Sequence, residues 1–141
     1  MRYLVTIAAA LALAGCSLGN DLGATDKAVA DFHSQLDAGN FSAIESQAGP
    51  EMKGGGQDFV GLLGRVHAQM GKVKSTNRTG FNDNVNNGVH TVEVSYTTVF
   101  EQGSSDEKFV FRMSNGATQM IYYEIKPSGT PSPEPSGSPS V

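Results

Sequence analysis

Three histidines are the residues of this chain best suited to acid–base or metal chemistry, because imidazole titrates near neutral pH and ligates divalent cations. His33, His67 and His90 lie far apart in the sequence and form no HxxxH or HxE pair. A zinc site needs several Cys, His or carboxylate ligands in one place. The local sequence therefore predicts no metal site and no cofactor, and we expect each histidine at the border of an apolar face or near a strand end.

Three successive glycines at 54–56 precede a predicted helix, as the glycines of a phosphate-binding loop do. Such a loop continues with Lys and then Ser or Thr. Here Gln57 and Asp58 follow, and the Asp carboxylate repels phosphate. We therefore expect a flexible connector.

The single cysteine, Cys16, has more informative neighbours. Arg2 is followed by an apolar segment that ends in small residues, which is the layout of a secretory signal peptide. The segment is shorter than the ~20 residues that span a bilayer as a helix. The sequence Leu13-Ala14-Gly15-Cys16 resembles the lipobox of bacterial lipoproteins at every position.

This resemblance implies that residues 1–15 are a lipoprotein signal peptide and that Cys16 begins the mature chain, carrying a thioether-linked diacylglycerol. Buried methylenes contribute ~0.8 kcal/mol each, so two or more acyl chains anchor a protein firmly. Ser17 stands where lipoproteins of the inner membrane carry Asp, which implies the outer membrane, facing the periplasm, in a Gram-negative cell. The alternative is an ordinary signal peptide whose cleavage leaves Cys16 as an unpaired thiol.

The charge of the mature chain limits its partners. Removal of residues 1–15 leaves nine Lys and Arg against 14 Asp and Glu, because Arg2 is the one charged residue removed. A net negative chain is not expected to bind nucleic acid, or to bind anionic lipid through basic residues. The remaining length suits one domain.

Apolar spacing predicts three helices in the first half of the mature chain. We expect residues 16–23 to be a lipidated tether and Thr25 to be the N-cap of the first helix. A short helix is expected over 41–48, a loop over 51–56, and a third helix over 57–70. The third has apolar residues at helical spacing, namely Phe59, Leu62, Leu63, Val66 and Met70.

From residue 72 the apolar period changes to two, which predicts four antiparallel strands. The first strand is expected to carry Lys72, Lys74 and Arg78 as a basic row on its outer side, where they meet an anionic component or protect a sheet edge. Turns are expected over 82–88 and 102–106. The residues expected to face inward are Val92, Val94, Tyr96, Thr98 and Phe100, then Phe109, Phe111 and Met113, and finally Ile121, Tyr123 and Ile125. The Pro- and Ser-rich tail, 127–141, is expected to be disordered.

Helices followed by strands with short connections predict an α+β domain over residues 24–126, with three helices on one face of a four-stranded antiparallel meander. This order resembles the nuclear-transport-factor-two-like, or cystatin-like, superfamily. The local matches are Leu-Asp-Ala-Gly-Asn-Phe at 36–41, Met-Gly-Lys-Val at 70–73 and Tyr-Tyr-Glu-Ile at 122–125. The superfamily contains enzymes, binding modules and assembly subunits, so the resemblance does not choose a function.

Enzymes of this superfamily commonly place an acid–base residue in the cone between the sheet and the first helix. The resemblance implies five weak candidates for that place, Asp31, His33, His90, Tyr96 and Tyr123. Asp31 and His33 are two residues apart on a helix and cannot face the same way. No nucleophile–base pair is visible in the sequence.

Three hypotheses follow. The first is a non-catalytic envelope lipoprotein that binds a partner protein or a small apolar ligand. The second is a small hydrolase or isomerase that uses a residue of the cone. The third is a structural envelope subunit that dimerises through the open face of the sheet.

Overall fold

A computed structural model describes residues 17–53, 58–115 and 117–128. The predicted signal peptide, Cys16, the glycines at 54–56 and the tail beyond Ser128 lie outside the described residues. The elements are α1 (Ser17–Asp37), α2 (Phe41–Gln47), α3 (Pro50–Lys53), α4 (Phe59–Met70), β1 (Val73–Asn86), β2 (Val89–Phe100), β3 (Gly103–Ser114) and β4 (Ala117–Pro127). The strands form one antiparallel sheet in the order β1-β2-β3-β4. The predicted α+β class and meander sheet are confirmed.

The first helix begins eight residues earlier than expected, at Ser17, so the prediction of a tether is wrong for residues 17–23. Thr25 is not an N-cap. It lies inside α1, is fully buried, and its hydroxyl donates to the carbonyls of Asp21 and Leu22 in the preceding turn. The burial of Thr25 shows that this part of α1 packs against the rest of the domain, and tertiary packing is the chief source of helix stability in proteins.

The other helices follow the expected pattern with one correction. The second helix ends within one residue of its expected end, and α4 begins after Asp58, whose carboxylate accepts from the Gly61 amide at 2.8 Å as an N-cap. The expected loop at 51–56 is wrong in part, because residues 50–53 form one helical turn, α3, that starts with a proline. Within the described ranges, no helix has the length and hydropathy needed to cross a membrane.

Strand β1 contains two register shifts against β2, between Val73 and Ser75 and between Arg78 and Gly80. A bulge adds one residue and moves the following side chains to the opposite face. Arg78 is therefore paired with Tyr96 and faces the helices, so the predicted basic row is wrong at this position. Asp83, beyond the second shift, also lies on the inner face.

The two predicted turns are shorter than expected. The β1–β2 turn is Asn87-Gly88, with φ angles of 50° and 78°, and Asn-Gly is favoured in two-residue hairpin turns because both positions need positive φ. Residues 82–86, which are polar except for Val85, continue the edge strand. The β2–β3 connection is likewise only two residues, 101 and 102.

The core lies between the helices and the inner face of the sheet. The inward residues predicted on β2 are buried, as are Phe109 and Phe111 on β3, while Met113 packs partly buried at the border. A register shift opposite Val110 and Phe111 places Met120, not Ile121, on the inner face of β4. Tyr123 is buried as expected and Ile125 packs partly buried. The sheet also extends past the predicted domain end at 126, since Ser128 donates its amide to Ser104.

Candidate functional site

A glutamate, Glu107, lies in the middle of the protein interior. It is on the inner face of β3, two residues before Phe109, and its side chain is 0% exposed. Glutamate is almost never fully buried without partners. Glu107 is not among the residues predicted for the site, although it shares the inward parity of Phe109 and Phe111.

Three side chains from three other elements surround this carboxylate. Thr98 on β2 donates to Oε2 at 2.5 Å, and His33 Nε2 on α1 lies 2.7 Å from the same oxygen. Tyr123 on β4 donates to Oε1 at 2.7 Å. We call these four residues the Glu107 network. Both oxygens have partners, which is the condition for burying a carboxylate at tolerable cost.

Burial and the adjacent Glu107 charge raise the pKa of the Tyr123 hydroxyl well above its usual value. The hydroxyl therefore stays protonated at neutral pH and keeps donating to the carboxylate. Tyr123 is a structural donor in this arrangement.

Aromatic rings fill the space beside the network. The ring centroid of Phe32 lies 5.1 Å from that of Phe109 and 4.9 Å from that of Tyr123, and the last two are 5.0 Å apart. These are ordinary distances for packed aromatic pairs. The place where the superfamily resemblance implies a cone is therefore closed by side chains near Glu107.

A more open space, the α1–β1 cleft, lies on the other side of His33. It has a volume of about 400 Å³, and its lining includes Asp26, Val29, His33, Thr76, Arg78 and Tyr96. Arg78 Nη1 lies 2.5 and 2.6 Å from the two carboxylate oxygens of Asp26, and the Tyr96 hydroxyl donates to the same carboxylate.

These contacts set the ionisation of the cleft. Partial burial raises the pKa of Asp26, but the hydrogen bonds from Arg78 and Tyr96 outweigh it, and the pKa is lowered overall. Burial, and then the hydrogen bond to Asp26, raise the pKa of Tyr96. At neutral pH the cleft thus holds a carboxylate and a guanidinium that neutralise each other.

The third histidine lies at the far end of the domain and not in the cone. His90 Nε2 is 2.7 Å from Asp83 Oδ1 and 3.8 Å from Asp21 Oδ2. One imidazole and two carboxylates within 4.8 Å of one another are ligand types that bind a divalent cation. The hydrogen bond from His90 to Asp83 accounts for the same geometry without an ion. The approach of Asp21 to His90 joins an early turn of α1 to the β1–β2 hairpin.

The five predicted candidates thus separate into different places. His33 and Tyr123 meet at Glu107, Tyr96 lies in the α1–β1 cleft, and His90 lies at the hairpin. Asp31 is largely exposed on α1 and pairs with Lys27 at 2.6 Å. It lies apart from Glu107, at the mouth of a pocket that Phe32, Phe111 and Met120 also line.

Comparison with protein-family models finds no match for this chain, and comparison with curated proteins finds no similar sequence.

Proposed function

We propose that this chain is a lipid-anchored protein of the bacterial cell envelope whose α+β domain binds a partner and performs no catalysis. The lipobox ending at Cys16 supports the anchor and the location. We further propose that the domain belongs to the nuclear-transport-factor-two-like superfamily. The order of helices and meander strands supports that assignment.

The closed Glu107 network is the observation that carries the non-catalytic assignment. A general acid or base must come within hydrogen-bond reach of the substrate proton that it transfers. The Glu107 side chain is 0% exposed, and both of its oxygens already have internal partners. Phe32, Phe109 and Tyr123 pack beside it. The network therefore holds α1 against the sheet and leaves no room for a substrate at Glu107 itself.

The open face of the sheet is the surface we propose for the partner, which is another protein or a second copy of the chain. Tyr122 on β4 is an exposed large apolar residue and is paired with Val110 on β3. Cross-strand pairs such as Glu93 with Lys108 lie around them. An apolar centre with a polar rim is the usual composition of a protein interface.

The experiment that tests the anchor is expression of the full chain in a bacterium, followed by fractionation and intact-mass measurement. Wild-type protein is expected in the membrane fraction with a mature chain that begins at a diacylglyceryl-modified Cys16. Cys16→Ser should keep its signal peptide or be released in soluble form, and Ser17→Ala is the matched control that should still acquire the lipid. A correctly cleaved Cys16→Ser protein that stays with membranes would contradict the proposal.

One observation favours a second function, that of a small hydrolase or isomerase. His33 lines the α1–β1 cleft with its ring held from behind by Glu107, and a carboxylate that orients a histidine is a common catalytic arrangement. Loss of an assayed hydrolase or isomerase activity in His33→Gln, but not in Asp31→Asn, would favour the enzyme. Unchanged partner binding by a folded His33→Gln protein would favour the binding module.

A further inference from the structure

Two of the most exposed apolar side chains lie at the end of one hairpin. Val85, near the end of β1, is 66% exposed, and Val89, the first residue of β2, is 47% exposed. Asn87 and Gly88 form the turn between them. We call residues 85–89 the β1–β2 tip. Transfer of exposed apolar side chains from water to an apolar environment is favourable, so the tip is a candidate for contact with an apolar surface.

The two valines point to opposite sides of the hairpin. Val85 is paired with His90, which shares the inner face with Val92. Val89 is paired with Asn86 and therefore lies on the outer face, since successive residues of a strand alternate. A protein that docked on one face of the sheet would cover one valine and leave the other in water. An apolar phase into which the whole tip inserts would cover both valines.

The path of α1 shows what lies next to the tip. At its C-terminal end, Asp37 accepts the Val73 amide at 3.0 Å, where β1 begins. Near its N-terminal end, Asp21 approaches His90, close to the tip. The helix therefore runs antiparallel to β1, and its first residue lies at the same end of the molecule as the tip.

The lengths of a helix and a strand place the first residue of α1 beside the tip. Four residues separate Asp21 from Ser17, which is ~6 Å along a helix. Two residues separate His90 from Gly88, which is ~7 Å along a strand. The start of α1 and the turn thus reach similar heights, and Cys16 directly precedes Ser17, the first residue of α1, in the sequence.

The charges at this end indicate the kind of lipid contact. Residues 81–92 contain no Lys or Arg, and Asp21 and Asp83 are both near His90. Attraction to anionic headgroups is therefore not available from the hairpin, and the contact is apolar. Membrane binding strengthens with the apolar area that enters the interface, so such a contact adds to the binding that a lipid anchor supplies.

We infer that in the anchored protein the β1–β2 tip inserts into the bilayer surface through Val85 and Val89, which orients the domain with α1 and the hairpin end toward the membrane. The inference rests on the proposed anchoring at Cys16. The bilayer is the occupant, because it covers both valines and is brought to the tip by the neighbouring lipid.

The chain offers a direct fluorescence test, because it contains no tryptophan and one cysteine. The mature chain from Cys16 is coupled through that cysteine to a maleimide phospholipid and bound to phosphatidylcholine vesicles with brominated acyl chains. Val89→Trp and Val85→Trp report on the tip. Val99→Trp is the matched control, since Val99 is an exposed valine at the opposite end of β2. We expect at least about twofold stronger quenching at both tip positions than at the control, because the tip lies at the interface.

A second measurement keeps the native aromatic content. With a single acyl chain on Cys16, vesicle binding is marginal and responds to small additional contacts. The double variant Val85→Asn and Val89→Asn should lower the vesicle affinity by roughly three- to tenfold, whereas Val99→Asn should leave it unchanged. All variants are first checked for an unchanged thermal midpoint.

The possible outcomes separate the two proposals. Equal quenching at tip and control positions, or equal affinities of the Asn variants, on vesicle-bound protein would overturn the orientation and leave the anchor intact. Absence of lipid on Cys16 in cells would overturn the proposed anchor. The tip contact is still measured in that case, because the lipid is attached chemically.

Discussion

Two carboxylates lie between α1 and the sheet, and their surroundings differ. Glu107 is fully buried, is surrounded by packed aromatic rings and has Thr98 and Tyr123 as donors. Asp26 is 45% exposed and is bound by Arg78. The hydrogen bonds of the buried Glu107 carboxylate link β3 to α1, β2 and β4, so the loss of one partner disturbs the others. An exposed ion pair is screened by water and contributes less to stability. We therefore assign Glu107 a structural role, whereas Asp26 belongs to the solvated surface of the α1–β1 cleft.

Removal of the buried carboxylate should have the largest effect. Glu107→Ala leaves the buried hydroxyls of Thr98 and Tyr123 without their acceptor and creates a cavity, so we expect a loss of ~3–5 kcal/mol in the free energy of unfolding by urea denaturation. Asp106→Ala, on the exposed face of the same strand, is the control and should lose well under ~1 kcal/mol. Equal losses of unfolding free energy in Glu107→Ala and Asp106→Ala would contradict the structural role of the buried carboxylate.

Removal of one donor should have an intermediate effect. Tyr123→Phe keeps the ring packing but leaves Glu107 Oε1 unpaired, which should cost ~1–3 kcal/mol at neutral pH.

The same substitution tests the raised pKa of Tyr123. A tyrosine whose pKa is raised in the folded state loses protons first in the unfolded state, so wild-type stability should fall as the pH rises above ~10. Tyr123→Phe should flatten that fall more than Tyr96→Phe, because Tyr123 is the more deeply buried. An alkaline profile that Tyr123→Phe leaves unchanged would contradict the burial of this hydroxyl.

Removal of the exposed carboxylate should have the smallest effect. Asp26→Asn is expected to cost less than ~1 kcal/mol at neutral pH, because the ion pair with Arg78 is partly solvated. Since the pKa of Asp26 is lowered in the folded state, its contribution is present above ~4 and is lost as the pH falls below that value. The variant should therefore lose less stability than wild type between neutral and acidic pH. If Asp26→Asn lost as much unfolding free energy as Glu107→Ala, the α1–β1 cleft would have to be counted as part of the structural core.

The sequence predicted those parts of the fold whose local pattern is unbroken. The alternation from Val92 to Phe100 identified β2 and its buried face. The bulges of β1 and β4 could not be predicted from the sequence. In the polar strand β1, an extra residue does not change the apolar pattern. In β4, Met120 and Ile121 are both apolar, so the pattern does not show which of them faces inward. Arg78 was consequently placed on the wrong face.

The candidate site was predicted only in part for a related reason. His33 and Tyr123 were named without the carboxylate that joins them, although Glu107 has the parity of Phe109. Glutamate is usually exposed to solvent, so its presence in a strand argues against burial of that position. Its burial depends on donors from α1, β2 and β4, and these come together only in the fold. Thr25 was likewise predicted to be a cap, because the residues that bury this part of α1 are remote from it in sequence.

The most direct test of the closed interior is exchange of the Tyr123 hydroxyl proton with water, measured by NMR on the isotopically labelled domain at neutral pH. A hydroxyl that donates to Glu107 inside packed aromatic rings should exchange slowly enough to give a resolved proton signal, and this signal should be absent in Tyr123→Phe and lost or fast-exchanging in Glu107→Ala. Rapid exchange in the wild-type protein would show that water reaches Glu107 and would contradict the non-catalytic account.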